Sequence, residues 1–566
     1  MDKMKKLSTI LLSAALLSSV QGLACTNVLV SRGASKDNST LVSYAADSHW
    51  LYGELYFHKA AKHKAGSQLA IREWDTHRPL GSIAQVPYTY QTMGNMNEYG
   101  LIITETTWGG RECCINEDGI MDYGSLIYIT LQRARNAREA IETIVSLANE
   151  YGYPSEGETF SIADSSEAWI MDLVGKGEEK GIVWVARRVP DGYICAHANQ
   201  ARITRFPLQD ADCIYAPDVI SFARSKGWYE GEDADFSFRD AYNPLDFGGA
   251  RGCEARVWAA FNILGEGMFR YQNEDGELVE ESAEKYLPYA MGYELKGEMP
   301  LFILPAKPLG VKDIADVMRD HYEDTPMDMR TDAGAGGNAC PYRWRPMYYE
   351  VDGKSYLNER AIATQQTGFW LVGQSRNGLP KEVAPLLWFG TDDAATSYLT
   401  PCYVNSTAVP DCFKEGNGDL LHYSDESAFW ICNRVAQACY KMYNYMEPVV
   451  REQIDRFETE QIEQAVPQMD AKLCKLVQKK HNAQAIKQMT RFTCKTAQKQ
   501  FENWCSLEEL LLVKFIDGNV KAQNEDGSFK HSEYHEGTPD GLTQPGYTEK
   551  WKRSTVLDNG PELLVH

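Results

Sequence analysis

Apolar and polar positions recur along this chain in two rhythms, one of period two and one near 3.6 residues. TNVLVSR (26–32) and LVSYAAD (41–47) flank the polar segment GASKDNST, which predicts strand, turn and strand. IAQVPYTYQT (83–92) and GLIITETT (100–107) repeat the pattern around the tight NMNEYG turn. FSIAD, an SSE turn and AWIMDLV predict a hairpin, and GIVWVARRVPDGYICAHAN predicts another with Pro190, Asp191 and Gly192 at its bend. TGFWLVGQS and APLLWFGTD add two strands. Between them, Leu126, Ile129, Ala134, Ala137, Ile141, Ile144 and Leu147 keep helical spacing up to Gly152, as two short helices or one kinked helix. CEARVWAAFNIL (253–264) and VKDIADVMRDHYE (311–323) predict further helices. Meandering strands with helices between and around them predict an α+β layered domain rather than a doubly wound parallel sheet.

The ends of the chain read differently. Residues 424–519 are rich in Lys, Gln, Glu, Ala and Met with helical periodicity and predict a helical appendage; residues 520–566 read as a polar, loop-like tail. At the start, Lys3, Lys5 and Lys6 precede an apolar run from Leu7 to Val20 and then Gly22-Leu23-Ala24. That layout is a signal peptide, residues 1–24, ahead of a main domain at 25–423. It predicts an exported protein, periplasmic or secreted. No later stretch approaches the ~20 apolar residues of a membrane-spanning helix.

Composition narrows the chemistry. A formal net charge of -22 argues against a nucleic-acid partner. Fourteen cysteines fit an oxidising compartment, yet none forms a CxxC pair, and no H-E-x-x-H occurs among eleven histidines. No G-x-G-x-x-G follows a strand and no phosphate loop is present, so neither a metal nor another cofactor is expected.

Cleavage after Ala24 makes Cys25 the first residue. A lipid-carrying cysteine wants a branched aliphatic residue three positions earlier, where Gly22 stands. A half-cystine or a buried thiol is the ordinary fate of a cysteine in an exported protein. The nucleophile reading has its own physical argument: a free thiol titrates near ~8.5 and a free α-amine near ~7.7. A cysteine at the N-terminus therefore carries its own general base. A Cys-His-Asn set can be named with His197 or His49 and Asn199, but a first-residue cysteine already has a base.

Several motifs carry a resemblance. Cys-Thr-x-x-Leu-Val at the processed start, AAD about twenty residues on, MNEYGL, ETTWGGR, DYGSLIYITLQRARNAREAI, FSIADSSEAWIMDLVGKG, HANQARI and CEARVWAAF occur in this order. Together they resemble the bacterial cysteine dipeptidases. These are N-terminal-nucleophile hydrolases related to the secernins, penicillin V acylase and the choloylglycine hydrolases. The resemblance is dense from Cys25 to Phe261 and looser through YLTPCY into the helical appendage. It implies a four-layer αββα sandwich and metal-independent hydrolysis of dipeptides or short peptides through a thioester on Cys25.

By the same resemblance Asp47 orients the amine, Asn199 donates to the oxyanion, and Arg256 favours the thiolate or binds the substrate carboxylate, with Arg251 as fallback. Thr106 or Thr107 supplies a second polar group, while Asn97 serves the turn. The family's usual arginine three residues before the aspartate is Tyr44 here, so the substrate-side electrostatics differ and a hydroxyl replaces a charge. Two other readings stay open: an amidohydrolase or acyltransferase on N-acylated small molecules, and a non-catalytic envelope protein that binds. The helical appendage caps the core or forms a subunit contact, which leaves a homo-oligomer open.

Overall fold

The computed structural model describes residues 25–565, so the assigned signal peptide lies outside the described residues. Two antiparallel sheets dominate. In chain order the main strands are β1 (Asn27–Val30), β2 (Thr40–Asp47), β3 (Phe57–His58), β4 (Thr92–Met93), β5 (Met96–Asn97) and β6 (Ile102–Trp108). Helices α1 (Tyr123–Leu131) and α2 (Ala137–Tyr151) come next. Strands β7 (Gly157–Ala163), β8 (Ala168–Lys176), β9 (Glu179–Arg188), β10 (Ile194–His197) and β11 (Cys213–Tyr215) follow. Helix α3 (Ala255–Leu264), β12 (Phe302–Ile303), α4 (Val311–Val317), β13 (Thr367–Ser375), β14 (Pro385–Thr391) and β15 (Thr400–Tyr403) complete this part. The first sheet has the order β12-β10-β1-β2-β13-β14-β15 and the second β11-β9-β8-β7-β6-β5-β4-β3.

Side-chain alternation explains why these strands read as nearly continuous apolar runs: both faces of each sheet are covered. Leu29, Val42, Leu371 and Leu387 of the first sheet pack with Ile102, Ile170 and Val185 of the second. The alternate residues Val28, Val30, Leu41, Trp370 and Val372 pack outward against Val257, Trp258 and Phe261 of α3 and Ile314 of α4. On the other side Ile103, Phe160, Trp169 and Met171 pack against Leu126, Ile141 and Ile144 of α1 and α2. The pair α1 and α2 is two helices rather than one kinked helix. Asp122 and Asn136 each cap a helix start by accepting a backbone N–H.

One hairpin expected from the sequence is not formed. The strands on either side of Pro190-Asp191-Gly192 join different sheets: β9 pairs with β8 and β11, whereas β10 pairs with β1 and β12. The turn carries the chain from one sheet to the other, and the Asp191 carboxylate accepts the Gly33 N–H at 2.6 Å after β1. Turn chemistry specifies a reversal, and packing decides the partner.

The C-terminal segment forms α5 (Ala428–Lys441), α6 (Tyr443–Glu460), α7 (Val466–Gln478) and α8 (Asn482–Lys514). These helices cover the β15 side of the first sheet. Thr493 of α8 accepts the Tyr403 N–H at 3.2 Å, and the buried Glu458 carboxylate pairs with Arg319 and accepts the Leu399 N–H. The tail expected to be loop-like holds short two-stranded pairs and a final helix, α9 (Glu549–Leu563).

Candidate active site

Cys25 stands at the head of β1, in the middle of the first sheet. Its chain neighbour Thr26 bridges to β2, where the Ala45 N–H reaches the Thr26 carbonyl at 3.1 Å. The thiol is 1 % exposed. Arg256 of α3 fixes this end of the strand. Its guanidinium donates to the Cys25 carbonyl at 2.6 Å, the Thr26 hydroxyl at 2.8 Å, the Asn199 side-chain oxygen at 2.9 Å and the Gly252 carbonyl at 2.8 Å. Arg256 is thus a brace between the cysteine and Asn199, with the planar fork used as a multiple donor.

The second sheet brings an acid to the sulfur. Glu105 of β6 has one carboxylate oxygen 3.5 Å from Cys25 Sγ, and the same oxygen accepts the Tyr44 hydroxyl at 2.6 Å. Tyr44 Oη lies 3.9 Å from the sulfur. Burial, followed by the charges of Glu105 and Asp47, pushes the Cys25 thiol well up; a backbone hydrogen bond from Asp47 and the Tyr44 hydroxyl act in the opposite sense. In this environment the sulfur holds its proton until a base removes it.

Glu105 is not alone. Antiparallel register sets Glu158 of β7 opposite Thr107 of β6, one step diagonally from Glu105. The Thr107 hydroxyl lies 3.1 Å from Glu158 Oε2 and 3.4 Å from Glu105 Oε2. Burial raises both acids, and the charge of Glu105 raises Glu158 further. Two carboxyls this close and this deeply buried retain a proton between them.

Asp47 ends β2 with no exposure. Its carboxylate pairs with Arg360 and accepts the Thr367 hydroxyl at 2.6 Å. Burial raises its carboxyl and Arg360 opposes that. Arg345 nearby donates to Gln366, and burial together with Arg360 and Arg256 pushes its guanidinium down to about 9. Asn199 follows β10 with φ 55°, a left-handed conformation asparagine tolerates better than most residues. Its amide N–H reaches the Thr107 carbonyl at 2.6 Å. Thr106 faces elsewhere: its hydroxyl and that of Ser161 hold the two ring nitrogens of His197, each at 2.7 Å. Burial pushes His197 down to about 3, so this imidazole stays neutral and does not serve as a base at neutral pH. Arg251 is taken by Glu359.

Thr107, Asn199, Arg256 and Arg360 line one cavity of about 350 Å³, together with Glu112, Glu156, Cys253 and a glycine-rich stretch at Gly248, Gly249 and Gly252. Larger clefts of about 480 and 860 Å³ are lined mainly by the C-terminal helices, and neither is lined by a cysteine. Cys25 itself is not part of the lining of the cavity by Thr107. A separate void of about 10 Å³, room for roughly one water, touches Cys25, Tyr44, Trp74 and Phe369. Among the described residues no cluster of three or more His, Cys, Asp and Glu is arranged to hold a metal ion. All fourteen cysteines are free thiols.

The model for peptidase family C69 matches residues 24–456. The chain belongs to peptidase family C69. Its relatives include a probable dipeptidase of Salmonella dublin, 23 % identical over 343 residues, covering 56 % of this chain and 70 % of the relative. The probable dipeptidase A of Streptococcus pyogenes serotype M3 is 22 % identical over 458 residues, covering 75 % and 85 %. The probable dipeptidase B of Lactococcus lactis subsp. lactis is 22 % identical over 429 residues, covering 72 % and 79 %. The family C69 match starts one residue before Cys25 and continues into α6, which includes every sequence-predicted site residue.

Sequence reasoning named Cys25, Tyr44, Asp47, Thr107, Asn199 and Arg256, and the fold assembles these six around the head of β1. It did not find Glu105, Glu158 or Arg360. Glu105 had a signal, a lone acid inside the apolar strand IITETTW; Arg360 sits in a loop with no local pattern at all.

Proposed function

We propose that this family C69 protein is an exported cysteine dipeptidase that acts through an N-terminal nucleophile in an αββα sandwich. The observation that carries the reading is the position of Cys25. It heads a central strand, braced by Arg256, with Glu105 and Tyr44 at its sulfur and a small-ligand cavity one side chain away. The helix–sheet–sheet–helix packing and the family's relatives support the same reading. A volume of about 350 Å³ lies at the lower end of the roughly 300–1,000 Å³ that small-molecule sites occupy.

Removal of residues 1–24 frees the Cys25 amine. The amine takes the thiol proton, and the thiolate attacks the scissile carbonyl to form a tetrahedral oxyanion. Asn199, set on the cavity wall beside Thr107, and backbone N–H groups stabilise that charge; loss of one such donor costs about 2.7–4 kcal/mol in the transition state. Collapse expels the C-terminal amino acid with the proton held by the amine, and water then hydrolyses the thioester. Arg256 acts by holding the Cys25 carbonyl and Asn199 in register, and Asp47 anchors the end of β2 beside them.

Two measurements test this. Intact mass and N-terminal sequencing of the exported protein should give Cys25 as the first residue; a start elsewhere, or a lipid on the cysteine, ends the mechanism. A dipeptide panel should show turnover that Cys25→Ala abolishes with the thermal midpoint unchanged within about 2 °C. Turnover that survives the substitution refutes the nucleophile.

A further inference from the structure

The buried acid pair beside Cys25 is unbalanced in charge. Glu105 and Glu158 are both 0 % exposed, and among the described residues neither forms an ion pair with a lysine, arginine or histidine. Their partners are neutral: the Cys25 thiol and the Tyr44 hydroxyl on Glu105, the Thr107 hydroxyl between the two, and the Tyr153 hydroxyl on Glu158 at 3.4 Å. The second oxygen of Glu158, Oε1, is buried with no hydrogen-bond partner among the described residues. An unpaired buried carboxylate is costly, and cations are the usual remedy. The nearby guanidiniums of Arg256 and Arg360 are committed to other partners, Arg256 to the Cys25 carbonyl and Asn199, Arg360 to Asp47.

Position gives this imbalance a use. One oxygen of Glu105 is 3.5 Å from the sulfur that attacks. In a dipeptide the α-nitrogen is two bonds from the scissile carbonyl carbon, so a substrate seated for attack places that nitrogen within a few ångström of the same sulfur. The cavity reaches Thr107, whose hydroxyl touches both acids, so the pair stands one side chain behind the wall. Glu112, Glu156, Arg256 and Arg360 line the same cavity, so both signs of charge face it.

Resting on the dipeptidase reading, we propose that Glu105 and Glu158 receive the free α-ammonium of the substrate, so that this site selects peptides with an unblocked N-terminus. Before binding, the two acids share a proton; as the substrate binds, that proton is released to bulk water, and the ammonium replaces it as the compensating positive charge and fixes the scissile carbonyl over Cys25. Glu105 and Glu158 are then specificity residues, separate from the base that activates the thiol.

The test compares the best dipeptide of the panel with its N-acetyl form, on the mature protein and on Glu158→Gln, which keeps shape and does not touch the sulfur. Loss of a charged hydrogen bond predicts a fall of about 10–100-fold in kcat/KM for the free dipeptide, carried mainly by KM. The N-acetyl form should change by less than about threefold. An equal fall on both substrates, or no change on either, overturns the proposal and makes the pair structural or a partner of the thiol. Calorimetric titration of Cys25→Ala with the two compounds reads the same preference without turnover. Tighter binding of the free dipeptide, lost on adding Glu158→Gln, supports the ammonium site, and equal binding of both forms refutes it. Failure of the dipeptidase reading is distinguishable, because it would leave the mature wild-type protein without turnover of any panel peptide whatever that titration shows.

Discussion

Asp47→Asn isolates the electrostatics around Cys25. The side chain keeps its shape, but Arg360 loses the charge of the carboxylate it pairs with, at a position where the two side chains are 0 % and 2 % exposed. The guanidinium also donates to the Ala361 and Ile362 carbonyls. Breaking one side of a buried pair costs about 3–5 kcal/mol, because the remaining charge stays buried. The Thr367 hydroxyl contributes less, since an amide oxygen still accepts it. At about 2–4 °C per kcal/mol for large domains, the loss corresponds to a fall of roughly 6–20 °C in thermal midpoint.

The assay is differential scanning calorimetry of wild type, Asp47→Asn, Arg360→Met and the double variant at one pH. If the loss is the uncompensated guanidinium, Arg360→Met introduced into Asp47→Asn recovers at least half of it, as removal of a whole buried pair is far milder than removal of one half. A single-variant shift under about 2 °C refutes the reasoning. So does a double variant that loses the sum of the two single shifts.

Two further outcomes follow from the same cluster and its neighbour. Tyr44→Phe removes the hydroxyl at 2.6 Å from Glu105, a hydrogen bond to a buried acid worth about 1.5–3 kcal/mol; it should lower the thermal midpoint and slow alkylation of Cys25 at fixed pH, since the hydroxyl also favours the thiolate, and an unchanged alkylation rate counts against that role. Asp392, buried against Asn433, is pushed up to about 8 by desolvation. Its folded state therefore holds a proton that the unfolded chain releases near ~3.9, so its stabilising contribution is complete below that value and is lost as pH rises through about 8. Asp392→Asn should flatten the decline of thermal midpoint between pH 5 and 8, roughly the window those two values bound, and an unaltered slope there counts against the assignment.

The layered α+β architecture was legible because two-sided burial leaves a strong trace. A strand covered on both faces is written as NVLV or TGFWLVGQS, and a helix covering it keeps its period over three turns, as α2 does. Pairing was legible only where the reversal is short and both strands stay in one sheet. The Ala163 to Ala168 reversal satisfies that condition. The Pro190-Asp191-Gly192 reversal does not, since the next strand had a better partner in β1, far from β9 in sequence. The tail misled for another reason: its polar composition fits exposed short ribbons as well as loops.

The site divides along the same line. Residues that sit on the strands around Cys25 or end a recognisable motif (Cys25, Asp47, Asn199, Arg256) could be named from the motifs that carry the resemblance. Those that set its electrostatics arrive from the opposite sheet or from a loop more than three hundred residues downstream, and sequence distance hides them. Tyr44 shows why this matters. Read alone, it is a hydroxyl where the resemblance implies an arginine. In the fold its oxygen donates to Glu105, so the replacement leaves the acid pair with a hydrogen bond but no cation. An arginine at that position would compete with any incoming ammonium for the same oxygens, whereas a tyrosine lowers the cost of the buried acid and leaves the charge to be met from the cavity. On the proposal above, the hydroxyl of Tyr44 and the acid pair without a cation belong together, and the substrate's own amine is the partner proposed for them.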